Sequence, residues 1–298
     1  MTTETFRCAD ASAARDEPLF GTASFVRRWL LVEQPGAWGG NALLESRLPT
    51  RVAKELRARA AAAGVRVVLI RRGPRLSTGR RQCYFLRSDE HDSYAARISL
   101  DSATDVLDVD LAPLRDGGPI QGASPLEAPL FLVCTHGRHD ACCSIKGNRV
   151  ARVACAQPEM DSWECSHIGG DRFAANLVCF PHGVYYGRVG AGDAVTLMSA
   201  YARGELALEN YRGRCCYPFP VQAAEYFVRR ETGFIGLDDV SLVSSETHGG
   251  RDRASFDAGA RAARVEVAVT ESGSHRLTCG AERSLPIPRF DLVSLALE

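Results

Sequence analysis

"LFLVCTHGRHDACCSIKGNRVARVACAQ", residues 130–157, decides the fold. Its first five residues are an unbroken apolar run, the pattern of a strand buried on both faces. From Lys146 onward the stretch reads as a helix. Between them lies a box of three cysteines and two histidines: Cys134, His136, His139, Cys142 and Cys143. "WEC" at 163–165 reads as a second strand that runs into another box, "CSHIGGDRF" at 165–173. "NLVCFPHGVYYGRV" at 176–189 has two apolar runs around Pro181-His182-Gly183, which is a hairpin signal. "AGDAVTLMSAYARGEL" at 191–206 reads as a helix, with Asp193 near its start and Val195, Met198 and Tyr201 on one face. Strand, helix, three strands and helix in this order are compatible with a thioredoxin-type layer.

Towards the N-terminus the chain reads as a second α/β layer. "ASFVRRWLLVEQ" (23–34) is a strand, and "LPTRVAKELRARAAAAG" (48–64) is a helix that opens on Pro49-Thr50 and ends on a glycine. "VRVVLIRR" (65–72), "QCYFLRS" (82–88) and "YAARISL" (94–100) are three more strands. "GAWGG" (36–40) lacks the lysine of a phosphate-binding loop and reads as a plain turn. The Pro/Gly-rich passage 111–129 breaks the pattern. From about 220 the tail reads as a helix, a charged loop and the strands "RVEVAVTE" and "HRLTC". The expected fold class is therefore α/β: an N-terminal domain (1–115), a linker (116–129), a second α/β domain (130–219) and a small α+β extension (220–298).

Thirty-six basic and 36 acidic side chains cancel, which argues against a nucleic-acid or anionic-membrane partner. The arginine-rich "RRGPRLSTGRRQ" at 71–82 reads as a solvated loop, with a docking patch for an acidic redox partner as the functional alternative. No signal-peptide or membrane-length apolar stretch is present, so a cytoplasmic location is expected. In a reducing compartment clustered cysteines bind metal or do redox work more often than they form disulfides. Cys8, Cys83, Cys155, Cys179, Cys215, Cys216 and Cys279, outside the boxes, read as small buried apolar residues.

A vicinal Cys142–Cys143 bridge would be strained, and the Cys-x-x-Cys of a thioredoxin redox pair is absent. Nothing specifies the base and oxyanion hole of a cysteine nucleophile. Ligands this soft and dense favour a metal, and zinc and iron–sulfur clusters both accept them.

The segment 131–189, "FLVCTHGRHDACCSIKG…WECSHIGGDRFAANLVCFPHGVYYGRV", resembles the sucrase/ferredoxin-like family. The resemblance implies that the second domain is a thioredoxin-like ferredoxin carrying a 2Fe–2S cluster. Members that ligate the cluster through two cysteines and two histidines carry Cys-x8-Cys followed by His-x-Gly-Gly-His. Here Cys134 and Cys143 reproduce the first spacing, and His167-Ile168-Gly169-Gly170 the start of the second. Where the second histidine would stand, this chain has Asp171, a harder ligand. The expected set is Cys134 and Cys143 on one iron with Cys165 and His167 on the other, because Cys165 and His167 share a face if "WECSH" stays extended through 167. Asp171 is the alternative fourth ligand or the acceptor of the His167 N–H, and Cys142 is a spare thiol. A Rieske arrangement through His136 does not fit, since neither box has that family's second spacing. His139 and His182 read as loop histidines.

The implied protein is an electron carrier or redox sensor rather than a catalyst, working with a reductase or an electron acceptor. A zinc-stabilised interaction module using the same ligands is the alternative. The word "sucrase" finds no support, because no carboxylate pair stands out for glycoside hydrolysis.

Overall fold

Arg28–Glu33, with the apolar run Trp29-Leu30-Leu31-Val32 at its centre, forms β1, and a helix, α2 (Thr50–Ala62), carries the chain back to β2 (Arg66–Arg71), parallel to it. β3 (Arg81–Arg87) returns antiparallel on the other side of β1, and β4 (Tyr94–Leu100) follows it. The computed structural model describes residues 5–72 and 79–298. Residues 73–78 of the arginine-rich segment thus lie outside the described residues. Of its flanks, Arg71 pairs with Glu164, Arg72 with Asp161 and Arg80 with Asp101.

The same order is then repeated. β6 (Leu130–Cys134) leads through α4 (Ala141–Ala154) to the parallel β7 (Asp161–Cys165). β8 (Leu177–Phe180) lies antiparallel on the far side of β6, and β9 (Val184–Tyr186) follows. β2 and β7, the outer strands of the two units, pair antiparallel through Ile70↔Cys165 and Arg71↔Glu164. With β5 (Ser124–Pro125) on β4 and β10 (Tyr211–Arg214) on β9, the result is one ten-stranded mixed sheet, ordered β10-β9-β8-β6-β7-β2-β1-β3-β4-β5. The α/β character is as expected; the two units form one sheet.

Strand alternation sorts the core. On one face, Trp29, Leu31, Ile70, Tyr84, Leu132, Cys134, Trp163 and Cys165 form a layer that crosses both units. On the other, α2 covers Leu30, Val32 and Phe85, while α4 and α5 (Ala194–Ala202) cover Phe131, Val133 and Leu177. The short helices α1 (Cys8–Ala14) and α3 (Ala112–Asp116) lie outside these repeats.

The tail is α6 (Phe219–Thr232) packed on a separate antiparallel sheet of β11 (Val240–His248), β12 (Arg251–Ala258), β13 (Arg261–His275) and β14 (Leu285–Leu297). Glu225 of α6 is fully buried between Arg214 of β10 and Arg229, each guanidinium Nε 3.0 Å from Oε1, and it accepts the Tyr211 hydroxyl at 2.7 Å.

Several elements differ from expectation for local reasons. The charged loop expected after α6 is the hairpin β11–β12, which turns at Gly249-Gly250 with both glycines at positive φ. The expected strand at 23–34 begins only at Arg28, because Val26 N–H is taken by the Cys215 carbonyl and Ala23 N–H by Gln222. The helix expected from Lys146 begins at Ala141, inside the box, because Asp140 caps it by accepting the Cys142 N–H at 2.8 Å. "HRLTC" is not a strand: β13 ends at His275 and Cys279 sits in the following loop, its N–H donated to Asp140 at 2.6 Å. Among the described residues no helix is long and apolar enough to cross a membrane.

Candidate metal centre

The parallel pair β6–β7 sets Cys134 directly opposite Cys165 at the strand ends, both facing the continuous core layer. Helix α4 brings Cys143 in from the side. Its approach requires Gly147, since a Cβ there would stand 2.0 Å from the Cys134 carbonyl oxygen. The three thiols are buried, and Cys134 shares hydrogen bonds with the other two. Cys134 is held well below the usual thiol range, first by the thiol hydrogen of Cys143 and then by that of Cys165. Cys143 is pushed up by that sharing with Cys134 and by burial, and Cys165 by burial and then by Cys134. Deprotonation of the trio is therefore easiest at Cys134, and a bound cation would draw off the remaining protons.

The second box closes over this trio. Gly169 and Gly170 have φ of +98° and +82°. A Cβ at the first would meet the Ser24 hydroxyl, and at the second the buried Arg212 guanidinium. The turn folds Asp171 back so that Oδ1 lies 3.1 Å from Cys143 Sγ and 3.0 Å from His167 Nδ1, while Oδ2 lies 3.4 Å from His139 Nε2. Burial pushes the Asp171 carboxyl up, but the two imidazoles outweigh it and hold it below the usual carboxylate range. Asp171 in turn raises His139. The His139 and His167 rings stack at 3.7 Å and are partly exposed, so the imidazoles are the site's opening to solvent. His167 Nδ1 is buried and makes no hydrogen bond despite its closeness to Asp171.

His136 is a positioning residue. Its Nε2–H donates to the Gly39 carbonyl at 2.7 Å and its Nδ1 accepts the His167 N–H at 3.2 Å. The loop "GAWGG" of the first unit thereby steadies the second box, and Trp38 packs edge-on against the His136 ring. His182 is elsewhere, on the Tyr201 hydroxyl at 2.7 Å.

All five residues singled out for the cluster, Cys134, Cys143, Cys165, His167 and Asp171, thus lie at one sheet end. His139, expected to be a loop residue, belongs with them; its place four residues before Cys143 was the available signal. Cys142 points the other way, 3.4 Å from Cys279, which is itself 3.6 Å from Cys8. Those two were expected to be isolated packing residues, and no spacing could have joined positions 271 residues apart.

A mixed α/β sheet with a Cys/His/Asp pocket at its strand ends defines the class. Residues 19–213 match the model of the sucrase/ferredoxin-like family, and the chain belongs to that family. Over 95 residues it is 32% identical to altered inheritance of mitochondria protein 32 of Meyerozyma guilliermondii. That stretch is 28% of this chain and 34% of the relative, so the chain spans about a third of the relative's length. No solved structure matches.

Proposed function

We propose that the chain is a one-electron carrier or redox sensor holding a single 2Fe–2S cluster, with Cys134, Cys143, Cys165 and His167 as ligands and Asp171 as the alternative fourth. The observation that carries the reading is the buried trio of Cys134, Cys143 and Cys165 beneath two partly exposed imidazoles. The donor set fits the group. Thiolate and imidazole suit sulfide-bridged iron, and the buried Nδ1 of His167 makes no hydrogen bond, which leaves it available to a metal. The β6-α4-β7-β8-β9 order supports a thioredoxin-like second unit. When bound, the cluster would supply reversible one-electron chemistry.

The chain's own residues would exclude water from the thiol side and present the His139–His167 edge to a redox partner protein, a reductase or an electron acceptor. A cytoplasmic setting suits eleven free cysteines. Protein purified without oxygen is expected to be coloured and to contain about two irons and two sulfides per chain. Cys134→Ser and Cys143→Ser should each cut iron content by roughly 10-fold or more, while Cys142→Ser keeps it. Colourless protein with zinc at these residues would replace the proposal.

A further inference from the structure

A second group of soft ligands lies on the far side of the α4 N-terminus: Cys8 at the start of α1, Cys142 in the first turn of α4, Cys279 in the β13–β14 loop, and the Asp140 carboxylate. We propose that these four residues form a tetrahedral site for zinc or a similar soft divalent cation, separate from the cluster.

The distances carry the argument. In a tetrahedral zinc site, ligand bonds of 2.3 Å to sulfur and 2.0 Å to oxygen put sulfurs about 3.8 Å apart and sulfur about 3.5 Å from oxygen. Here Cys142 Sγ is 3.4 Å from Cys279 Sγ, Cys279 Sγ is 3.6 Å from Cys8 Sγ, and Cys8 Sγ is 3.5 Å from both Asp140 oxygens. All four donor atoms lie within 4.8 Å of one another. A disulfide would need sulfurs near 2.05 Å and would leave one of three crowded thiols over.

The carboxylate is already oriented. Oδ1 accepts the Cys142 N–H at 2.8 Å and Oδ2 the Cys279 N–H at 2.6 Å. Such backbone donors commonly fix a ligating carboxylate from behind. Burial pushes the Cys142 thiol up, and the Ala9 N–H at its sulfur works the other way. Cys8, Asp140 and Cys142 are buried, and partly exposed Cys279 provides the entry path. Cys8 and Cys279 fall outside the matched 19–213, so the site is an addition to what the family match covers. Its effect would be structural. One ion would join the N-terminal segment and the C-terminal sheet to the helix that presents Cys143.

The test is zinc and iron analysis of the reduced full chain, with Co(II) alone as a spectroscopic probe. About one zinc per chain is expected, and Co(II) should give the intense visible bands of tetrahedral thiolate coordination. Cys8→Ser and Cys279→Ser should each lower zinc content more than 10-fold while iron is kept, and Cys134→Ser should lose iron while keeping zinc. Should the serine variants fail to fold, Cys279→His, which restores a zinc ligand, is expected to recover cobalt binding with shifted bands. The site is refuted if the reduced wild-type chain takes up no zinc or cobalt, or if bound metal is indifferent to Cys8 and Cys279. A Cys142–Cys279 disulfide surviving in protein purified without oxygen refutes it equally. Absence of iron alone would strike only the cluster proposal.

Discussion

At the scale of single residues, the proposed cluster has two candidates for its fourth ligand. Cys165 is a thiol held against Cys134, and Asp171 is a carboxylate that already touches Cys143 and sits between two imidazoles. Iron in a sulfide-bridged cluster prefers the softer donor. Cys165→Ser is therefore expected to cost more iron, by about 10-fold or more, than Asp171→Ala, which should weaken retention by less than that through loss of support to His167. Iron and visible spectra measured side by side decide it. An intact spectrum in Cys165→Ser would hand the position to Asp171. The boxes were legible in the sequence because their ligands crowd into ten and nine residues. For His139 the spacing to Cys143 is only a hint, because its partners Asp171 and His167 are brought to it by a turn that two left-handed glycines make thirty residues later. Cys8 and Cys279 were illegible for a plainer reason: only the completed fold makes them neighbours.

At the scale of elements, α4 does two jobs from one end. Its cap residue, Asp140, faces Cys8 and Cys279, while Cys143 faces Asp171. The helix can do this only because Gly147 lets it press against the end of β6. Alanine in a helix interior normally gains about 1 kcal/mol over glycine. Here the added methyl would strike the Cys134 carbonyl, and overpacking of that kind costs about 1–3 kcal/mol. Gly147→Ala should therefore lose stability in urea and also lose iron, since it pushes Cys143 away from Cys134. A stabilised, fully coloured variant would mean that α4 can shift without harm. The helix itself is readable from the sequence, but it starts five residues before the stretch that reads as helical, because Asp140 caps it inside the box.

At the scale of the whole molecule, the tail is fastened by buried charge as well as by apolar packing. Glu225→Gln keeps the shape but leaves the Arg214 and Arg229 guanidinium groups, both fully buried, without a counter-charge. Breaking such a pair costs about 3–5 kcal/mol, to be read as a lowered urea midpoint with α6 and its sheet released early. A loss below 1 kcal/mol would mean that the carbonyls around Arg229 suffice. The alternation of strands and helices made the two layers legible, but not the seam between them, because antiparallel pairing of β2 with β7 leaves no local mark in either strand. That seam closes two strand edges that would otherwise invite further pairing. It also sets a loop of one unit against the boxes of the other. The loop 34–49 that follows β1 contains neither cysteine nor histidine, and its Gly39 holds His136 of the second unit. One unit carries the candidate ligands, and the other is the wall they lean on.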